Sequence, residues 1–289
     1  MAETNEIVYL NGDFLAATEA KVSVLDRGFV FGDGVYEVIP VYGGRLFRLD
    51  QHLDRLDQSL EGIRVAPPLD HKQWRGLLEE LIQRNGGGDQ SVYLQVTRGV
   101  ANRDHAFPAN VSPTVFAMSS PLGEVPEELR RGVSAVTMED IRWKLCHIKA
   151  IALLPNILLR QQAIDQGAAE GIMIRDGFVT EGAATNVFAV LGAILVTPPK
   201  SNLLLPGITR DLIVELCREG GIELEERPLS EEELRGADEV WISSSTKEIL
   251  PVTRLDGAPV GSGEPGPVWR RAIALYQTYK QEFRRGNRD

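Results

Sequence analysis

Apolar residues along the chain fall into two rhythms, an alternation of two and a spacing of three and four, and the changes between them mark the elements. Ile7 to Ala17 (IVYLNGDFLAA) reads as a β-hairpin turning at Asn11-Gly12, a pair that tolerates the left-handed backbone a tight hairpin needs. Val35 to Val41 is rich in β-branched and aromatic residues, stops at Gly43-Gly44 and resumes at Leu46-Phe47, a second hairpin. The rhythm then changes. Leu53, Leu56, Leu60 and Ile63 predict a helix, with Asp50 as its cap. Trp74, Leu77, Leu78, Leu81 and Ile82 repeat that spacing behind a capping-box pair, Asp70 and Gln73, and Asn85 to Gly88 stop this second helix. Ser91–Thr97 and Thr114–Met118 are strands on either side of a polar loop.

Ser119 to Pro126 is rich in Ser, Pro and Gly and follows a complete set of strands and helices, the mark of a linker. Beyond it, Gly132–Met138, Ile172–Ile174, Phe178–Thr180 and Glu239–Ser243 read as strands, with two more between Val187 and Val196. Helices are predicted over Pro155–Gln166, from Thr209 to Gly220-Gly221, and over Pro267–Phe283. The expected organisation is α+β in two domains: a smaller α/β unit at 1–120, a linker at 121–127 and a larger strand-rich unit at 128–289.

Composition narrows this picture. With 289 residues, each unit is long enough for its own core. A net charge of −10 argues against non-specific nucleic-acid binding, which needs a basic surface, but leaves the field inside a pocket open. Cys146 and Cys217 lie far apart among apolar residues and read as buried free thiols of a reducing compartment. The start, MAETNEIVYLNGD, has neither the basic nor the apolar segment of a signal peptide, and no apolar run approaches the roughly 18 residues of a membrane span. A cytoplasmic location is the expectation.

Candidate chemistry centres on Ile141 to Phe188. Lys149 sits in an apolar run, one of only 7 lysines against 24 arginines. Ordinarily such a lysine keeps its amine in solvent. If desolvated, its pKa falls and it becomes a nucleophile. Glu181 sits in a Gly-bounded turn where a fixed carboxylate could hold a protonated ring nitrogen. Gly207-Ile208-Thr209 opens a helix, either as a plain N-cap or as an anion site. Ser243 to Thr246 offers hydroxyls after a strand, and Arg55 shares a helix face with Leu56 and Gln51. Arg98, Arg103 and His105 crowd one loop, either a solvated basic loop or a carboxylate clamp. No P-loop or GxGxxG is present, and His52, His71 and His147 lack metal-ligand spacing, so no metal is expected.

Together these stretches resemble the fold-type IV enzymes that use pyridoxal 5'-phosphate (PLP), the branched-chain aminotransferase-like family. The resemblance covers almost the whole chain. It rests on RGFVFGDGVYEV (27–38), FRLDQHLDRL (47–56), IKAIALLPNILLRQQA (148–163), GFVTEGAATNVF (177–188), PGITRD (206–211) and SSSTKEILPV (243–252). QVTRGVANRDHAFP (95–108) is similar to the branch acting on D-amino acids, whose Arg-x-His trap for the α-carboxylate matches Arg103 and His105, with Tyr36 completing it. The resemblance implies that Lys149 is the Schiff-base lysine and proton shuttle, and Glu181 the partner of the pyridine nitrogen. It implies phosphate ligands at Arg55, Ile208 (through its amide), Thr209 and Thr246, with Ser245 added, and Leu205 beneath the ring. It also implies a homodimer that exchanges amino groups between D-amino acids and 2-oxo acids by a ping-pong reaction. Ala183-Ala184-Thr185 replaces the serines of that branch, and Pro206 precedes Gly207; both depart from its pattern. Alternatives on the same scaffold are a branched-chain L-amino-acid or (R)-amine transaminase and an aminodeoxychorismate lyase-like enzyme. A non-catalytic binding protein is the alternative from another class.

Overall fold

The computed structural model describes residues 6–288. Strands β1 (Ile7–Leu10) and β2 (Asp13–Ala16) form the first hairpin, with Asn11 and Gly12 at φ 50° and 112°. A short helix α1 (Arg27–Phe31) follows, capped by Asp26, whose carboxylate accepts the Gly28 amide. Then come β3 (Gly34–Tyr42), β4 (Arg45–Leu46), α2 (Leu49–Gly62), α3 (His71–Arg84), β5 (Gln90–Thr97) and β6 (Thr114–Pro121). The strands make one antiparallel sheet in the order β2-β1-β6-β5-β3-β4. Leu53, Leu56, Leu60, Trp74, Leu78 and Leu81 of the two helices bury completely against it. The expected spacing of three and four is therefore the sheet-facing stripe.

Three expectations shift. Asp50 is not the cap of α2: Arg48 takes that place at φ 55° without a side-chain bond, and Asp50 lies in the first helical turn, where its charge suits the helix dipole. Ser119 and Ser120 are not outside the sheet, because β6 continues through them to pair with β5. Helix α1 is an element the pattern did not show; its five residues are too few to display a period.

The second sheet begins at β7 (Val133–Glu139), after a short helix α4 (Glu127–Arg130). Its other elements are α5 (Leu154–Asp165), β8 (Glu170–Arg175), β9 (Phe178–Gly182), β10 (Asn186–Leu191), β11 (Ile194–Thr197), α6 (Ile208–Glu219) and β12 (Leu224–Glu226). They are followed by α7 (Glu231–Arg235), β13 (Glu239–Ser244), β14 (Glu248–Leu255), β15 (Ala258–Pro259) and α8 (Pro267–Arg284). The strands run β12-β11-β10-β13-β14-β7-β8-β9, with β15 on β14. The sheet is mixed: β7 runs parallel to β8 and β14, as β11 does to β12. Strand β14 carries Pro251, a residue that argues against a strand when read in sequence.

Helices α6 and α8 cover one face of this sheet, and α8 then reaches across to the first. Phe47, just before α2, meets Tyr276, Tyr279 and Phe283 of α8 edge-on, at ring separations of 6.3, 5.7 and 5.0 Å. The two sheets thus share an aromatic seam. No helix among the described residues is long and apolar enough to cross a membrane.

Candidate active site

A cavity of about 390 Å³ opens between β3, α2, the start of α6 and the loops ending β9 and β13. Lys149 reaches it because the chain after β7 leaves its own sheet and lies along the free edge of β3. The Lys149 carbonyl accepts the Tyr36 amide at 3.0 Å, and the Ile151 amide donates to the Gly34 carbonyl at 3.0 Å. Val35 and Ala150 form an antiparallel bridge between them. The Lys149 amide donates to Ser59 Oγ of α2 at 3.1 Å. Position 34 must be glycine, since a Cβ there would stand 2.7 Å from the Val96 carbonyl oxygen of β5 and 3.0 Å from Ile151 Cδ1 of the approaching run. The amine of Lys149 lies 4.2 Å from the centre of the Tyr36 ring. Burial, with Arg55 nearby, lowers its pKa to about 8, so a useful fraction is neutral and nucleophilic near pH 7.

Glu181 ends β9 on the opposite side. One oxygen contacts the Arg142 guanidinium; the other accepts the Leu205 amide at 3.1 Å and Asn186 Nδ2 at 3.4 Å. Arg142 is itself held by Asp140 through Nε and Nη2, both at 2.9 Å. Burial raises the pKa of Glu181 to about 7, against the pull of Arg142. Its charge is therefore poorly solvated and favours a cationic N–H opposite it.

The third side is built for an anion. Helix α6 starts at the cavity with Gly207 as its cap and no side chain bonded to its first amides. Thr209 is thus the second helical residue rather than the cap. Gly207 is obligatory here too: a Cβ would fall 2.0 Å from Asn186 Oδ1. Free amides and the positive end of the helix dipole make a natural phosphate seat. Arg55 closes it from α2, donating through Nη1 to the Pro206 carbonyl at 2.8 Å.

Of the residues expected from sequence, Tyr36, Arg55, Lys149, Glu181, Leu205, Ile208, Thr209 and Ser245 all line this cavity. Thr246 is exposed and lies outside the lining, which Ser243 and Ser244 join instead. Arg103 and His105 are also exposed and do not reach it. Both lean on the Phe31 ring of α1, at 5.3 and 5.4 Å, while Arg27 Nη1 donates to the Asp104 carbonyl at 2.6 Å. Sequence reading gives no role to Arg142 or Asn186, while Ser243 belongs to the hydroxyl-rich turn it singles out. Of the first two, only Asn186 has a signal, its place in the TEG-containing turn.

The family model of class IV aminotransferases matches residues 34–255. The chain belongs to the class IV aminotransferases. Among curated class IV enzymes, the D-alanine aminotransferase of Bacillus licheniformis is 43% identical, covering 93% of this chain and 95% of its own length. That of Staphylococcus aureus (strain MW2) is 39% identical over 95% and 98%. Among solved structures, the branched-chain amino acid aminotransferase of Escherichia coli superposes with a TM-score of 0.91 at 30% identity, covering 99% of this chain and 96% of that one. A hypothetical aminotransferase from Mycobacterium tuberculosis, in its PLP-bound form, gives 0.82 at 27%, over 94% and 98%.

Class IV aminotransferases use PLP. The cavity fits it. Thr185 Oγ1 and Ser243 Oγ are buried in the lining without a hydrogen-bond partner, two polar groups that need a ligand's atoms. Around them stand an anion seat, a desolvated amine and a carboxylate suited to a ring N–H.

Proposed function

We propose that this aminotransferase exchanges amino groups between D-amino acids and 2-oxo acids, such as D-alanine and 2-oxoglutarate, in ping-pong fashion. The observation that carries this reading is the split between the two comparisons. The curated D-alanine aminotransferases are 38–43% identical over nearly the whole chain, whereas the branched-chain structures, which share the fold, stand at 25–30%. The Arg103-x-His105 loop supports it from the side of chemistry.

Bound PLP supplies an aldehyde and an electron-accepting ring, which stabilise negative charge at the substrate's α-carbon. The chain's own groups set the rest. Lys149 holds the cofactor and moves a proton at that α-carbon, and its lowered pKa suits both tasks near neutral pH. Glu181 holds the ring nitrogen's proton, and Asn186 and the Leu205 amide keep its carboxylate aimed. Ile208, Thr209, Arg55 and Ser245 hold the phosphate, and Leu205 supports the ring. Thr246 contributes at most through its turn.

Tyr36, Arg103 and His105 bind the substrate carboxylate, the latter two from a second copy in a homodimer. Two features support that assembly. The Arg103–His105 loop stops short of its own cavity, and large apolar side chains stand exposed on that loop (Phe107), before and on α1 (Val24, Phe29) and on α5 (Leu154, Ile157). A cytoplasmic enzyme is consistent with the two buried free cysteines.

The test is an absorption spectrum of the PLP-loaded protein. D-Alanine should bleach the visible band and, with 2-oxoglutarate, yield pyruvate, while L-alanine and L-leucine leave the band unchanged. Turnover of L-leucine at a rate matching D-alanine would refute the D-amino-acid reading. The Lys149→Ala variant should lose activity by about 10⁴-fold, and normal transamination in it would overturn the role of the lysine.

A further inference from the structure

Glu37 stands next to the cavity-facing Tyr36 on β3, and strand alternation turns it away from the cavity into α2. It is completely buried. A carboxylate so placed survives only when fully paired, and here the pairing is directed. Arg55 Nε and Nη2 donate to its two oxygens, each at 2.7 Å, in the parallel fork that is the strongest form of this contact. His52, one turn before Arg55 on α2, bonds through Nδ1 to the same carboxylate at 2.8 Å. The guanidinium outweighs burial and holds the Glu37 carboxyl well below the usual carboxylate range. Burial also lowers the His52 pKa, leaving a neutral ring whose Nδ1 carries the proton it donates.

The donor count then gives direction. A guanidinium has five N–H groups. Glu37 takes two of them and the Pro206 carbonyl a third. One N–H on each terminal nitrogen is left, on a group fixed in plane at the rim of the anion seat. We propose that Glu37, seated by His52, is the positioning residue that aims Arg55 at the cofactor's phosphate. Through Pro206, the same chain of bonds ties the arginine of α2, packed on the first sheet, to the start of α6, packed on the second. This rests on Arg55 being a phosphate ligand.

Two physical effects oppose each other, which makes the idea testable. If only charge mattered, removing the Glu37 carboxylate would leave Arg55 more positive and tighten phosphate binding. If orientation governs, the same change loosens it. The measurement is the affinity of the apoprotein for PLP and for phosphate-free pyridoxal, read by intrinsic fluorescence, with thermal unfolding of each apoprotein alongside. Glu37→Gln should weaken PLP by roughly tenfold, one charge-assisted contact, and leave pyridoxal within about twofold. An unchanged or tighter PLP affinity, or equal losses for both ligands, overturns the proposal. Arg55→Gln serves as the control. If it fails to separate PLP from pyridoxal, Arg55 is no phosphate ligand and the underlying reading fails; if it separates them while Glu37→Gln does not, only the positioning role fails. Should Glu37→Gln not fold, His52→Asn decides: it should weaken PLP selectively by a few-fold, and the absence of any selective loss refutes the proposal.

Discussion

The two halves of the site are held in opposite ways. On the cofactor side the carboxylates and two of the arginines are buried and braced: Glu37 by Arg55 and His52, Glu181 by Arg142, and Arg142 by Asp140. On the proposed substrate side Arg103 and His105 stand in solvent on a loop moored to α1 by Arg27 and the Phe31 ring. The difference teaches where cost and specificity lie. Buried pairs keep a fixed geometry for a cofactor that stays, and they lose much when one partner is removed. An exposed loop costs little to change, and on the proposed reading it governs which substrate is turned over.

The sharpest way to break this contrast is at its two arginines. Arg142→Met leaves Asp140 and Glu181 buried without their shared cation, and should lower stability by about 3–5 kcal/mol, measured by denaturant unfolding of the apoprotein. Arg103→Ala should leave that stability within about 0.5 kcal/mol but raise KM for α-amino acids by roughly 10- to 100-fold, with simple amines little affected. Equal stability losses in the two variants would erase the distinction. Mixing Lys149→Ala with Arg103→Ala subunits sharpens it further. If the loop serves the partner's cavity, mixed dimers assayed at low substrate exceed the activity of both parents, because one of their two sites is then intact. No such excess in verified mixed dimers would place the loop in its own chain's site.

The smallest effect concerns pH. His52 is held neutral chiefly by burial, which outweighs the support Glu37 gives its charge, with Arg55 and Lys149 adding smaller opposition. Its folded pKa is thus below its unfolded value, so below pH about 6.5 the unfolded chain binds the extra proton and stability falls. His52→Asn should flatten that slope in thermal unfolding between neutral and mildly acidic pH. An undiminished slope would assign the acid sensitivity to other groups.

Much of the fold was legible where a residue acts on near neighbours. The Asn11-Gly12 hairpin, the Asp70–Gln73 capping box and the stripes of α2 and α3 all appear as expected. The lysine and acid of the site, with the start of α6, were also legible, as members of a recognisable order of motifs. What stayed hidden depends on distance along the chain. Arg142 meets Glu181 across 39 positions, and Arg55 meets Pro206 across 151, so no local pattern announces either. Glu37 was hidden for a different reason: in a strand its neighbours alternate sides, and nothing in VYEVI tells which side is the dry one. Strand β14 escaped because Pro251 reads as an interruption, though the loss of one amide is tolerated in place.

The run from Lys149 to Ile151 carries a further consequence. Its backbone is stitched to β3 of the first sheet, while Glu181 rides on β9 of the second. The Lys149 amine and the acid across the cavity are therefore held by different sheets, and the gap between them depends on how the two sheets pack. A slip at the aromatic seam around Phe47 would throw the pair out of alignment while both sheets stayed folded. Under gentle denaturation, activity should accordingly fade ahead of secondary structure.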